Sequence, residues 1–344
     1  MSTSMASSAE AGHHRQPVTN TTPPHNLPLV LIHRLPQVDL SYKSWLPATK
    51  FLLLDPLDPS FSSSPWAQSL ARSARVLVCI GSPPLSADAL DRYPLVECVV
   101  GSIAGLDHVD LSECRCRGIT VTSAGDAFSA DVADYAVALL IDVLRRVSAS
   151  NRYVRAGTWP VKGEYPLGSK LGGKQIGIIG LGSIGSMIAK RLEAFGCSIS
   201  YNSRKKKPHV PFPFYENVHD LATNSDALII CCALTNKTHH MINKDVMTAL
   251  GKEGVIVNVG RGALIDEKEL VQFLVRGDIG GAGLDVYENE PIVPRELFGL
   301  DNVVLSPHRA VATPEAILAL QEGVRANLEA FFANKPLVSP AELE

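Results

Sequence analysis

Apolar residues in this chain fall into two kinds of run that alternate along its length. Short blocks such as Leu29-Val30-Leu31-Ile32, Arg75 to Ile80, Val96 to Val100 and Gly118 to Thr122 each end at Gly, Pro, Ser or Asp signals. Compact, near-continuous apolar blocks of this kind predict strands buried on both faces. Stretches of helical length lie between them, which predicts an α/β fold with a mostly parallel sheet. From Asp131 to Val147 the apolar positions (Val132, Ala133, Ala136, Val137, Leu139, Leu140, Val143 and Leu144) run nearly all the way round a helix. Such a helix is buried, and its place in the chain predicts that it lies between domains.

A Gly- and Pro-containing linker over 157–173 precedes a second series. Its predicted strands are Ile176–Ile179, Ser198–Tyr201, Ala227–Ile230, Val255–Asn258, Gly281–Leu284 and Val303–Leu305. Six strands with helices between most of them match a complete dinucleotide-binding fold. The last predicted helix, Pro314 to Asn334, comes too late to belong to that unit and is expected to pack back on the first region.

Composition narrows the partners. The 344 residues, 46% of them hydrophobic, suit one large or two ordinary domains. A net charge of −3 argues against nucleic acid or an anionic membrane. No apolar run approaches the roughly 20 residues of a bilayer span. Seven cysteines without framework spacing predict free thiols and a reducing compartment, with the cytosol as the expectation. No metal site is expected: Cys114 and Cys116 lack partner ligands, and His239 and His240, if helical, would not share a face. Residues 1–26, rich in Ser, Thr, Ala, Pro and His, read as a disordered tail.

The chemistry begins at Gly180-Leu181-Gly182-Ser183-Ile184-Gly185, a G-x-G-x-x-G motif between an apolar strand and a predicted helix over Ser186–Phe195. There Gly180 permits the turn, Gly182 lets the backbone approach a pyrophosphate, and Gly185 lets helix and strand pack closely. The pyrophosphate would sit at the helix N-terminus. Roughly 20 residues on, where an NAD site carries an acid, the chain has Asn202, followed by Ser203, Arg204 and Lys205. Loss of the acid removes repulsion of a 2′-phosphate, and Arg204 can grip one, so NADPH is the predicted cofactor.

Three residues at strand ends carry the reaction. Arg261, flanked by Gly260 and Gly262, is placed to pair with a substrate carboxylate and polarise a carbonyl. His308, after Pro307, is placed to protonate the oxygen that hydride transfer leaves behind. Glu290 is placed to hydrogen-bond His308 and favour the imidazolium. Asp285 is expected beside the nicotinamide.

These motifs resemble the D-isomer-specific 2-hydroxyacid dehydrogenase family over roughly residues 27–340, and within it the plant glyoxylate/hydroxypyruvate and hydroxyphenylpyruvate reductases. The resemblance implies catalytic roles for Arg261, Glu290 and His308. It implies cofactor contacts at Leu181 to Ile184, Ser203 to Lys205, Val259 and Asp285, substrate contacts at the backbone of Ala104 and Gly105, and a homodimer formed through the Asp131–Val147 helix. Pattern and resemblance together predict an α/β protein of two doubly wound parallel-sheet domains. A Rossmann-type NADP domain (125–308) is inserted in a flavodoxin-like substrate domain (27–124 and 309–344). The expected activity is NADPH-dependent reduction of small 2-oxo acids, hydroxypyruvate and glyoxylate first, with hydroxyphenylpyruvate as the alternative. A non-enzymatic, cofactor-sensing binding protein is the alternative from another class.

Overall fold

The computed structural model describes residues 27–37, 41–62 and 65–341; the tail expected over 1–26 lies outside them. Two all-parallel sheets organise the described residues. The first contains β1 (Leu29–Arg34), β2 (Leu52–Leu54), β3 (Val76–Ile80), β4 (Cys98–Gly101) and β5 (Thr120–Thr122), in the order β2-β1-β3-β4-β5. That is the flavodoxin-like order. The second contains β6 (Gln175–Ile179), β7 (Ser198–Asn202), β8 (Ala227–Ile230), β9 (Val255–Asn258), β10 (Gly281–Leu284) and β11 (Val303–Leu305), in the order β11-β10-β9-β8-β6-β7. Each sheet is covered on both faces by apolar clusters, as its unbroken apolar strands require.

Strand β2 escaped the sequence reading. Its three leucines sit between Lys50 and Asp55, a run too short to carry a period, and it finds its place only by pairing with β1. Beyond β7 the dinucleotide-binding plan calls for one more strand. Here it is reduced to a single parallel bridge between Tyr201 and Phe214. Pro208, Pro211 and Pro213 lack the N–H groups that a longer ladder would use.

The buried helix spans Ser129–Arg145 and ends where Arg146 turns left-handed, at φ 55°. With Ala316 and Leu320 of the last helix in the same apolar cluster, it packs mainly on the second sheet and on the helix Ser183–Ala194. The reason is in β10: a Cβ on Gly281 would come 2.8 Å from Val143 Cγ1, and one on Gly283 would come 3.0 Å from Leu139 Cβ. Glycines there let the helix lie directly on the strand. The last helix, Pro314–Phe332, does pack back on the first sheet through Val324 and Leu328. Behind it the chain bonds to the end of β5, with Ala341 N–H to Val121 O at 2.8 Å and Ser123 N–H to Ser339 O at 3.2 Å. Among the described residues no helix is long and apolar enough to cross a membrane.

Candidate active site

Strand order in the second sheet reverses at β6, with β7 on one side and β8 on the other. A crevice at the carboxyl ends of the strands therefore opens over Gly180 and Cys231. The helix begins at Ser183, three residues earlier than its sequence pattern suggested, so Gly182 itself is the cap and no side chain satisfies the helix end. Its first N–H groups are left without a cap, which makes that end suited to an anion.

The three glycines of the motif differ in why they are glycine. Gly180 has φ 100°, and a Cβ there would meet the Cys232 backbone at 2.7 Å. A Cβ on Gly185 would lie 2.1 Å from Gly180 O. The protein's own packing explains both. A Cβ on Gly182 would meet nothing within 4 Å, so its missing side chain leaves room for something that is not protein. An open helix terminus beside that room fits a dinucleotide pyrophosphate. Leu181 is buried beneath the turn, Ser183 is exposed and Ile184 half-buried. At the end of β9, Val259 is buried and donates its N–H to Ile230 O at 3.1 Å.

At the end of β7 the Asn202 amide donates to the backbone oxygens of Tyr215 and Glu216, at 2.9 and 3.1 Å. That anchors the basic turn. The Ser203 hydroxyl donates to Lys205 O at 2.7 Å, within the turn itself, and Arg204 and Lys205 are exposed.

The crevice floor continues to the ends of β9, β10 and β11. His308 Nδ1 lies 2.9 Å from Glu290 Oε2, and the other Glu290 oxygen accepts the Tyr287 N–H at 3.1 Å. Burial pushes the Glu290 carboxyl up, but His308, through its hydrogen bond and charge, the Tyr287 N–H and the nearby Arg261 outweigh it. The carboxyl ends below its ordinary range and is ionised near neutrality. His308 has φ 52°, a conformation that costs on the order of 1–3 kcal/mol outside glycine.

What holds that turn is Asp285, which is 1% exposed. Its backbone oxygen accepts the His308 N–H at 2.7 Å. Its carboxylate accepts the Arg309 and Ala310 N–H groups at 2.8 and 2.9 Å and the Ser306 hydroxyl at 2.5 Å. The sequence reading set Asp285 against the nicotinamide. The structure turns its carboxylate toward the loop that carries His308.

Arg261 reaches across from the end of β9 to the loop that follows β4. Its Nε donates to Asp107 Oδ1 at 3.2 Å and its Nη1 to Gly260 O at 2.9 Å. Gly262 must be glycine because a Cβ would overlap the Tyr287 backbone, 1.8 Å from its carbonyl carbon. Asn258 locks the turn, donating to Arg261 O at 2.9 Å and accepting from Gly260 N–H at 3.0 Å. A Cβ on Gly105 would lie 1.9 Å from Arg261 Nη2, so the guanidinium rests directly against that loop. Among the described residues the N–H groups of Ala104 and Gly105 have no acceptor.

The structure thus brings Arg261, Glu290, His308 and the 104–105 loop together. Sequence reasoning missed Asp107, Asn258 and the turn-holding role of Asp285. Only Asp107, an acid two residues past a predicted substrate loop, carried a visible signal. Beside it, burial foremost, aided by Arg261 and His33 against Asp107, keeps His108 below the usual imidazole range.

An imidazole bonded through Nδ1 to a carboxylate presents Nε2 as a proton donor. A guanidinium close by can bind a carboxylate and draw electrons from a carbonyl. Together they suit reduction of a 2-oxo acid.

Comparison with known proteins agrees. A family profile described as "D-isomer specific 2-hydroxyacid dehydrogenase, NAD binding domain" matches residues 137–310. The chain is 53% identical over 318 residues to glyoxylate/hydroxypyruvate reductase HPR3 of Arabidopsis thaliana, covering 92% of this chain and 98% of that protein. It is 48% identical to hydroxyphenylpyruvate reductase of Plectranthus scutellarioides, over 78% of this chain and 86% of that one. Among solved structures it resembles an NADPH-dependent glyoxylate/hydroxypyruvate reductase from Sinorhizobium meliloti, solved with NADP and malonate. The TM-score is 0.83 at 35% identity, over 92% of this chain and 98% of that one. With its paired sheets, its glycine cradle and these relatives, the chain belongs to the D-isomer-specific 2-hydroxyacid dehydrogenase family.

Proposed function

We propose that the protein reduces small 2-oxo acids with NADPH, converting hydroxypyruvate to D-glycerate and glyoxylate to glycolate. The observation that carries the reading is the His308–Glu290 pair set close to Arg261, whose guanidinium rests against the loop of Ala104 and Gly105. The unpartnered N–H groups of that loop take one substrate carboxylate oxygen, and Arg261 takes the other and polarises the ketone. NADPH, when bound, supplies the hydride. His308 gives the Nε2 proton to the carbonyl oxygen. Glu290 keeps the Nδ1 proton in place throughout, which fixes the ring and its tautomer.

The cofactor would lie over Gly180 to Gly185, with its pyrophosphate at Gly182, Ser183 and Ile184, flanked by Leu181 and Val259. Arg204, supported by Lys205 and Ser203, would hold the 2′-phosphate. The 27–124 and 309–344 segments form the substrate unit, and 125–308 the cofactor unit. Closure is centred on 122–125 and 307–313.

The protein is assigned to the cytosol, where its seven free cysteines stay reduced. Dimer formation is assigned to the segment after the buried helix, not to the helix itself. Trp159 is 59% exposed, Val161 82% and Leu167 91%, an apolar surface suited to a second copy.

The test is a substrate panel with both cofactors. Hydroxypyruvate and glyoxylate with NADPH should give the highest kcat/KM. A higher value for hydroxyphenylpyruvate would reassign the substrate, and no turnover of any of the three would end the reductase reading.

A further inference from the structure

The turn that follows β8 carries His239 and His240, which the sequence reading set aside as a metal pair because neighbours on a helix would not share a face. The structure corrects this. The chain there is not helical, and His240 has φ 50°, held by its N–H bond to Ala263 O at 2.8 Å. The two side chains lie on the same side of the turn. Their rings stack with centroids 3.9 Å apart and planes 25° apart. His240 Nε2 lies 2.9 Å from Glu288 Oε1, and Glu288 is itself fixed by its N–H bond to Glu267 Oε2 at 3.1 Å. One ligand atom each from His239, His240 and Glu288 fall within 4.8 Å of one another.

Two imidazoles and one carboxylate on a half-exposed edge form a donor set for a borderline divalent ion, with a fourth position left to water. We propose that His239, His240 and Glu288 form a site for a divalent transition-metal ion, zinc in particular. The ion would tie the loop after β8 to the segment that carries Glu290. It is separate from the reduction chemistry, since none of the three residues belongs to the proton-donating pair. A simpler role for the His240–Glu288 contact is a metal-free hydrogen bond joining the two loops. That role needs no His239, so His239 separates the two.

The test uses full-length, tag-free protein stripped with a chelator and titrated with zinc against a chromogenic chelator. One zinc per chain should bind in the micromolar range, raise Tm, and find no competitor in magnesium or calcium, which favour oxygen ligands. His239→Gln and His240→Gln should each weaken that equivalent at least about tenfold. His239→Gln should keep the wild-type reductase rate in chelated buffer, which certifies its fold. Absence of a micromolar equivalent, or an equivalent that survives in His239→Gln, overturns the proposal.

Discussion

Replacing Gly105 by alanine perturbs Arg261 without replacing it. The position has no left-handed φ, so an alanine backbone is compatible there. Its methyl, however, would sit 1.9 Å from Arg261 Nη2 and 2.7 Å from Asp107 Oδ1. Ordinary contact begins at 3.4 Å, so the guanidinium must retreat by about 3.4 − 1.9 = 1.5 Å. The flexible end of a side chain yields more readily than the surrounding backbone, so the fold should survive. A shift of that size at a group aligned on the reacting carbonyl costs on the order of 10²-fold in rate, or about 2.7 kcal/mol of transition-state stabilisation. Steady-state reduction of hydroxypyruvate gives kcat/KM, quenching of NADPH fluorescence gives cofactor affinity, and a melting curve gives Tm. The expected result is a hundredfold-scale loss in kcat/KM with cofactor affinity and Tm near wild type. A kcat/KM within about threefold of wild type would refute the placement of Arg261 on the substrate. An equal loss of NADPH binding would refute the claim that the effect is local.

Arg204→Ala should raise KM for NADPH while leaving NADH little changed; an equal effect on both cofactors would make Arg204 a mere surface charge. Asp285→Asn leaves fewer acceptors for Ser306, Arg309 and Ala310. It should cost about 2–3 kcal/mol in denaturant unfolding and lower kcat, because the His308 turn loosens. Glu290→Gln tests linkage. A carboxyl held below its ordinary range in the native state stabilises fully above the unfolded value of about 4.3, and this contribution disappears as pH falls through the native value. Wild type should therefore exceed the variant in stability near neutrality and converge with it in acid. A gap that stays constant with pH would rule out ionisation as its source.

The fold was legible where the chain wrote it locally. All six strands of the second sheet were predicted close to their observed bounds, because each is a buried apolar block closed by a turn signal. Strand β2 was not, since three residues carry no period and its pairing with β1 is non-local. The missing outer strand depends on three prolines whose effect shows only against a completed sheet. At the site, residue types at strand ends singled out Arg261, Glu290 and His308, which the structure brings together. The sequence could not disclose that Asp285 faces the His308 turn or that Asp107 meets Arg261 from the other sheet. Both contacts depend on how separate loops meet in space. The histidine pair failed for a sharper reason: a helical assumption set the two rings apart, and the turn stacks them on one side.

The most direct measurement is NADPH oxidation in the presence of hydroxypyruvate by wild type and by His308→Gln, with NADPH binding measured on both. If His308 donates the proton, wild type turns over, and the variant loses turnover by several orders of magnitude while binding NADPH as before. A variant that still reduces hydroxypyruvate at a rate near wild type would contradict the account.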